Sequence, residues 1–128
     1  YFPTNQDIRH SLSLNTSVEV NQFNFAIAGN WHTGKPFTSI NTTNPLDTNN
    51  TINFNTVNSN NLKNYFRVDF SMNYTFKFKG RIGLSIWNLL DTKNILNTYY
   101  NLDENNIIKT INMNSLGLTP NVSFRINF

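Results

Sequence analysis

Apolar and polar residues alternate with a period of two along five stretches of the chain, and this pattern predicts β-strands rather than helices. We place the strands at about residues 10–20, 23–32, 65–78, 81–90 and 115–128. One face of these strands is apolar at 24 of 28 positions, and the other is apolar at only 2 of 24, both alanine. The segregation predicts an all-β fold with about five antiparallel strands, one face apolar and the other polar.

The strand lengths and the chemistry of the polar face indicate a membrane barrel. Three runs are 11 to 13 residues long, whereas ordinary strands have about 5–6 residues. Eleven residues at the usual tilt cover about 25 Å, which is the height of the apolar band of an outer-membrane barrel. The polar face carries Asn, Ser and Thr with few charges, so it suits a hydrated lumen better than the outer face of a soluble sheet.

Short and long connections alternate along the chain. Brief turns at residues 21–22 and 79–80 alternate with long segments at 33–64 and 91–114. Outer-membrane barrels have tight periplasmic turns and long external loops, so we expect both long segments to be external. Five strands cannot close a barrel, and open edges are not tolerated in hydrocarbon. We therefore expect residues 1–128 to be a segment of a larger protein, and Tyr1 to lie within that protein's sequence.

The composition excludes several classes of protein. Aromatic residues make up 14% of the chain, which argues against a disordered polar tract. A net charge of +3 is too small and too dispersed for a nucleic-acid-binding surface. The absence of cysteine excludes disulfides, thiolate metal sites and cysteine nucleophiles. No apolar run approaches the roughly 18 residues of a membrane-spanning helix.

Four segments, in order, resemble the end of TonB-dependent receptors of the Bacteroidetes type. Residues 65–71 (YFRVDFS) resemble the strand motif Y-x-R-x-D-x-S, and residues 84–91 (LSIWNLLD) are similar to l-s-i-x-N-L-f-d. Residues 116–128 (LGLTPNVSFRINF) resemble the closing motif L-G-x-T-P-N-x-S-x-R-x-x-F. Upstream, residues 31–38 (WHTGKPFT) are similar to the W-x-x-G-x-P-x-T that opens a long external loop. The resemblance covers most of the chain.

The resemblance implies a 22-stranded barrel in the bacterial outer membrane, closed by an internal plug. Such a receptor imports a scarce ligand, such as a glycan, a peptide or a metal chelate, with energy passed from the inner membrane. This chain would form the last five strands, and the TonB system would act through N-terminal regions outside it. The other expected partners are outer-membrane lipid, the barrel-assembly machinery and a surface lipoprotein lid.

Candidate ligand-binding residues lie at the expected external ends of strands or in the loops. They are Trp31, His32, Tyr99 and Tyr100. Aromatic residues at these positions could stack against a sugar or another ligand, or could form the aromatic girdle at the membrane interface. The loops are polar and nearly uncharged, so they would suit a neutral ligand such as a glycan or a peptide.

Two further groups of residues have expected roles in the barrel. Arg67, Asp69 and Arg125 fall on the polar face, where they would pair with the plug and neighbouring strands or meet a passing substrate. Phe124 and Phe128 lie on the last alternating strand. Outer-membrane barrels commonly end in such an aromatic residue, so we expect these two to act as an assembly signal.

No catalytic residue, metal site or cofactor is expected. His10 and His32 are the only histidines, and neither has a convincing partner in sequence for a Ser-His-acid triad. Asp103 and Glu104 lack the spaced oxygen ligands of a calcium loop, so they indicate a solvated turn. The alternatives to an energised importer are a passive outer-membrane channel or structural barrel, and a soluble β-sandwich adhesin or carbohydrate-binding module. An outer-membrane barrel hydrolase is more distant.

Overall fold

A computed structural model describes residues 3–77 and 80–126, and every regular element in this part of the chain is a β-strand. The strands are β1 (Ser11–Val20), β2 (Phe23–His32), β3 (Pro36–Phe37), β4 (Asn60–Asn61), β5 (Tyr65–Thr75), β6 (Gly80–Trp87), β7 (Ile95–Leu102), β8 (Ile108–Asn114) and β9 (Thr119–Ile126). The described residues include no helix long and apolar enough to cross a membrane. The predicted all-β class is confirmed.

The main sheet has five antiparallel strands in the order β1-β2-β5-β6-β9. The five strands lie side by side in the same order as they occur along the chain. Each therefore pairs with the sheet strand that precedes it in sequence, and β3, β4, β7 and β8 belong to the two long segments. The β1–β2 ladder runs without interruption from Ser11 opposite His32 to Val20 opposite Phe23. The β6–β9 ladder runs from Gly80 opposite Ile126 to Trp87 opposite Thr119. The prediction of five antiparallel strands is confirmed.

Three strands differ from the predicted bounds by three or four residues at one end. β5 was expected to reach residue 78 and ends at Thr75, and the other two are β6 and β9. β6 was expected to reach residue 90 and ends at Trp87, and β9 was expected to begin at residue 115 and begins at Thr119. The cause is Asn88, whose backbone turns into the left-handed region with a φ of 52°. Residues 78, 127 and 128, which were also assigned to strands, lie outside the described part of the chain.

Both long segments contain β-hairpins and are not wholly irregular. In the first, β3 pairs with β4, and isolated bridges join Ile40 to Phe54 and Leu46 to Ile52. In the second, β7 pairs with β8 along most of its length. These strands were not predicted, because their apolar residues do not alternate as regularly as those of the main sheet.

The chain divides into two compact units. The sheet unit comprises residues 11–32, 66–93 and 116–128 and contains the five-stranded sheet. The loop unit comprises residues 1–10, 33–65 and 94–115 and contains the two small hairpins.

Asn and Asp occupy the left-handed backbone positions of the described chain, and no described glycine has a positive φ. These positions are Asn21, Asn50, Asn58, Asn88, Asp91 and Asn106. Asn and Asp tolerate this conformation better than other residues with a Cβ, because their short polar side chains can hydrogen-bond locally. The turns therefore account for part of the high asparagine content.

Apart from Pro36 of β3, no apolar side chain is buried among the described residues, so the described chain has no buried hydrophobic core. The apolar face of the sheet is most exposed on its two outer strands, where Leu14 of β1 is 71% exposed and Val122 of β9 is 74% exposed. Within residues 3–77 and 80–126, the one completely buried large side chain is polar, that of Asn88. The sheet is thus amphipathic as predicted, but nothing in the described chain covers its apolar face.

Candidate functional site

The polar face of the sheet unit carries an ordered cluster of an arginine, an aspartate and a tryptophan. Arg67 donates to Asp69 Oδ2 through Nη2 at 2.9 Å and through Nε at 3.0 Å. The same guanidinium lies 5.5 Å from the centre of the Trp87 ring, which is within cation–π range. The structure thus brings together two of the three predicted lumen-facing residues and adds an aromatic ring to them.

Sequence reasoning missed Trp87. It occupies a polar-face position of β6, in phase with Arg81, Gly83 and Ser85, and it is 48% exposed. The signal was present in the sequence, because a large aromatic residue is out of phase with the apolar positions of its strand. With the Arg67 guanidinium over its ring, Trp87 still presents exposed aromatic surface on the polar face.

A shallow depression of about 350 Å³ lies beside this cluster on the sheet. The residues that line it on the polar face are Asn15, Ser17, Ala26, Ala28, Asp69, Ser71, Ser85 and Trp87. Most of these side chains are small, and the depression is the space that they leave above the polar face of the sheet.

Arg125 lies at the other end of the β6–β9 ladder, directly opposite Arg81. Like charges at opposed positions of an antiparallel pair destabilise it. Among the described residues, neither arginine takes part in an ion pair. The arrangement becomes favourable when an anionic group approaches this part of the polar face.

A second concave site, of about 300 Å³, lies in the loop unit, and we call it the aromatic cleft. It is lined by Asn5, Pro36, Phe37, Thr38, Phe54, Asn58, Asn97, Thr98, Tyr99 and Tyr100. The rings of Phe54 and Tyr100 lie 6.1 Å apart and are tilted by 57°. Tyr99 and Tyr100 are two of the four predicted ligand-binding residues. The other two, Trp31 and His32, lie on β2 opposite Leu12 and Ser11.

Hydrogen bonds of polar side chains hold the walls of the aromatic cleft. Asn58 donates through Nδ2 to the carbonyl oxygen of Pro3 at 2.7 Å, and its backbone N–H donates to Thr38 Oγ1 at 3.0 Å. On the β7–β8 hairpin, Thr98 Oγ1 lies 2.8 Å from Asn112 Oδ1. The cleft is therefore built from fixed elements and not from loose side chains.

Two turns in the loop unit share one geometry. In each, an aspartate accepts backbone N–H groups from the residues two and four positions later, and an asparagine takes the left-handed position. The turns are Asp47 with Asn50 and Asp103 with Asn106. The backbone N–H of Thr51 is the main cause of the lowered pKa of Asp47, and that of Ile107 lowers the pKa of Asp103. Asp103 thus caps a turn, as expected from the sequence.

Aromatic residues cluster on the apolar face near the Asn21–Gln22 turn. Phe23 stacks on Phe25 at 5.8 Å and contacts Tyr74 at 4.7 Å, and Tyr74 meets Phe76 edge-on at 4.9 Å. Phe124, one of the two residues assigned to an assembly signal, lies on β9 opposite Ile82 and is exposed. Phe128, the other, lies outside the described residues.

Within residues 3–77 and 80–126, no three His, Asp or Glu side chains come together in a way that could hold a metal ion. No family model matches the chain, and no curated protein or solved structure matches it.

Proposed function

We propose that this chain is the C-terminal part of the barrel of a TonB-dependent receptor in the bacterial outer membrane, with no catalytic activity. In this proposal the intact protein imports a scarce ligand with energy from the inner membrane. The observation that carries the proposal is the sheet itself, which has one uncovered apolar face and one polar face rich in small neutral side chains, with few charged residues among them.

The uncovered apolar face favours lipid as its neighbour. Leu12, Leu14, Val18 and Val20 of β1 are all more than half exposed. Soluble monomers rarely leave a contiguous apolar surface of this kind in water. A soluble sandwich would place a second sheet on this face, and the described strands of the sheet unit all belong to one sheet. Lipid removes the apolar face from water without a second layer.

The two edges of the sheet favour a larger barrel. β1 and β9 are its outer strands, and each has a hydrogen-bonded neighbour on one side only. An unpaired strand edge in hydrocarbon leaves backbone groups without partners, at a cost of several kcal/mol for each group. Further strands of the same protein would pair with both edges, and the 22-stranded barrel of the resembled family would supply them.

The aromatic cluster of Phe23, Phe25, Tyr74 and Phe76 supports the position of the membrane boundary. Barrels of the outer membrane carry girdles of aromatic residues at both interfaces, on the lipid-facing side. The cluster lies on the apolar face beside the short Asn21–Gln22 turn, where the periplasmic girdle is expected.

The contacts of Asn88 support the resemblance to TonB-dependent receptors. Asn88 belongs to the segment similar to l-s-i-x-N-L-f-d, and its backbone N–H donates to Asp69 Oδ1 at 2.9 Å. Its side chain donates through Nδ2 to the carbonyl oxygen of Leu116 at 3.0 Å. Asp69 and Leu116 belong to two of the other segments that carry the resemblance. Three motifs that are separate in sequence thus meet through one buried residue.

The opposed Arg81 and Arg125 favour a plugged barrel over a passive channel. Their charges lie on the polar face, which faces the lumen in this proposal, and a plug with acidic groups would compensate them. In an open, water-filled pore the pair would repel with only solvent and salt to reduce the repulsion. The passive channel remains the second candidate function.

Membrane fractionation of cells that produce the intact protein tests the location. We expect the protein in the outer-membrane fraction, with gel mobility that changes on heating because a closed barrel resists unfolding by detergent. Recovery in the soluble fraction would contradict the proposal and favour a sandwich.

Removal of the TonB system from the same cells tests energy coupling. Cells should no longer grow on a nutrient whose uptake requires this protein, although the protein itself remains in the outer membrane. Unchanged growth would identify a passive channel instead.

A further inference from the structure

We propose that Arg67 is a positioning residue, which holds the base of the second long segment through Asp69 and Asn88. The base consists of Thr92 and Leu116, which lie where the chain leaves the sheet unit and where it returns. We call the contacts from Arg67 to the base the relay. All five residues belong to the sheet unit, so the inference goes beyond the proposed function and does not depend on the location of the protein.

Asp69 is the residue through which Arg67 acts. Its two carboxylate oxygens have separate partners, because Oδ2 accepts the Arg67 guanidinium and Oδ1 accepts the backbone N–H of Asn88. The side chains of Arg67 and Asp69 are only 31% and 18% exposed, so water screens this pair less than an ion pair on the open surface. The guanidinium is also fixed by the Trp87 ring. Arg67 therefore keeps the carboxylate aimed at the end of β6.

Asn88 connects this carboxylate to both ends of the segment. Its side chain is completely buried. Nδ2 donates to the carbonyl oxygens of Thr92 and Leu116, each at 3.0 Å, and Oδ1 accepts the N–H of Thr92 at 3.0 Å. A single side chain therefore joins the two stretches of chain that form the base. A change in the position of Asn88 must move or break these three bonds.

The turn that begins at Asn88 needs bonds from outside the turn. Asn88 and Asp91 both have a positive φ, of 52° and 49°. This conformation is costly for residues other than glycine and persists where surrounding contacts hold it. Asp91 Oδ1 accepts the N–H of Leu118 at 2.9 Å, which is a second such contact. Loss of the Arg67–Asp69 pair should therefore loosen this turn before the rest of the sheet.

Hydrogen-exchange mass spectrometry of the intact protein in detergent micelles tests the relay. Arg67→Gln removes the ion pair, and peptides that span residues 88–93 should then exchange about fivefold faster, because a charge-assisted hydrogen bond is weakened. Arg67→Lys retains the charge and should restore part of the protection. Peptides of β1 and β2 should exchange at an unchanged rate. Limited proteolysis should cut Arg67→Gln sooner within residues 94–115.

Arg81→Gln is the matched control, because it removes the same charge from the polar face at the other end of β6. It should leave the exchange of residues 88–93 unchanged. A double substitution then separates the relay from an effect of Arg67 that bypasses Asp69. Asp69→Asn removes the ion pair but retains an acceptor for the Asn88 N–H. With Asp69→Asn present, Arg67→Gln should speed exchange by less than about twofold.

Three results would overturn the proposal. Arg67→Gln could leave the exchange of residues 88–93 unchanged, or it could speed the exchange of β1 and β2 equally, which would indicate a general loss of stability. Its effect could also be as large with Asp69→Asn as without it, in which case Arg67 would not act through Asp69.

Failure of this inference can be told from failure of the proposed function. An outer-membrane, heat-modifiable protein that gives any of these three results would overturn the relay alone. A protein recovered in the soluble fraction that shows the expected exchange pattern would confirm the relay and overturn the outer-membrane proposal.

Discussion

Asn88 donates its backbone N–H to Asp69 Oδ1 at 2.9 Å, and this bond links the end of β6 to the polar face of β5. The Asn88 side chain extends the link, since Nδ2 donates to the carbonyl oxygens of Thr92 and Leu116 and Oδ1 accepts the N–H of Thr92. Asp91 adds a further bond by accepting the N–H of Leu118. One buried residue therefore fixes where β6 ends and how the chain approaches β9.

Asn88→Ala should destabilise the protein by about 3 kcal/mol or more. The substitution removes three partly buried hydrogen bonds, two from Asn88 Nδ2 to the carbonyl oxygens of Thr92 and Leu116 and one from the Thr92 N–H to Asn88 Oδ1, each worth about 0.5–1.5 kcal/mol. It also places alanine at a φ of 52°, which asparagine tolerates better. Urea unfolding of the intact protein in detergent measures the loss. Asn101→Ala, at an exposed position of β7, is the control and should change stability little, and equal losses would contradict the role of Asn88.

Leu14→Arg distinguishes a lipid-facing strand from a soluble one. Leu14 is 71% exposed, so in a soluble sheet an arginine at this position should be neutral or favourable. On the lipid side of a barrel it should cost about 2–4 kcal/mol near the middle of the bilayer. Asn15→Arg changes the neighbouring residue on the polar face and should cost less. Folding titrations into lipid vesicles compare the two variants, and equal tolerance would argue against lipid contact.

Gly34→Ala should disrupt the base of the first long segment. A Cβ at this position would overlap the carbonyl oxygen of Leu62, so the backbone must shift. The shift would break the hydrogen bond from Gly34 N–H to Asn64 Oδ1, which is 3.1 Å long. Limited proteolysis should then cut within residues 33–64 sooner.

Gly29→Ala is the matched control for this prediction. The nearest atom to a Cβ at that position is 4.0 Å away, so the substitution fits without movement. Its proteolysis pattern should match that of the unmodified protein. If Gly34→Ala gave the same pattern as well, the close approach to Leu62 would not be essential.

The turn at Asp103 should loosen in acid. Its pKa is held below the ordinary value of 3.8, chiefly by the backbone N–H of Ile107, with Lys109 and Asn105 also contributing. Because the folded state favours the carboxylate, the stabilisation is present above about pH 4 and is lost as the pH falls through the lowered pKa. Hydrogen exchange at the Ile107 amide should therefore report faster opening of the turn at low pH, after correction for intrinsic rates.

Asp103→Asn keeps an acceptor in the turn but removes the titrating charge. It should make the opening of the turn nearly independent of pH over the same range. Glu104→Gln removes the neighbouring carboxyl, which takes no part in these bonds, and should leave the pH dependence in place. If Glu104→Gln removed the pH dependence and Asp103→Asn left it in place, Glu104 and not Asp103 would control the opening of the turn.

The main sheet could be predicted from sequence because its alternation is strong. β2 was expected at residues 23–32 and lies there, and β1 begins one residue later than expected. The ends of β6 and β9 could not be predicted, because they depend on hydrogen bonds of Asn88 and Asp91 to residues far along the chain. The alternation of apolar and polar residues along a strand does not indicate such bonds.

The candidate sites were predicted only in part. Arg67 and Asp69 were placed on one face by alternation, and the structure adds their ion pair. Tyr99 and Tyr100 were singled out as aromatic residues, but the cleft around them also needs Phe54 and Asn58, which come from a distant segment. The β7–β8 hairpin did have a sequence signal, since the polar residues 103–106 form a turn between two segments rich in Ile and Tyr.

The central claim is that alternate residues of the sheet face lipid and the barrel lumen. The chain has no cysteine, so single cysteines can be introduced along β1 of the intact protein and spin-labelled in lipid vesicles. We predict that labels at Leu12, Leu14 and Val18 relax faster with oxygen, which partitions into lipid, and that labels at Ser13, Asn15 and Ser17 relax faster with a water-soluble nickel complex. Equal access of the nickel complex to both sets would contradict the account.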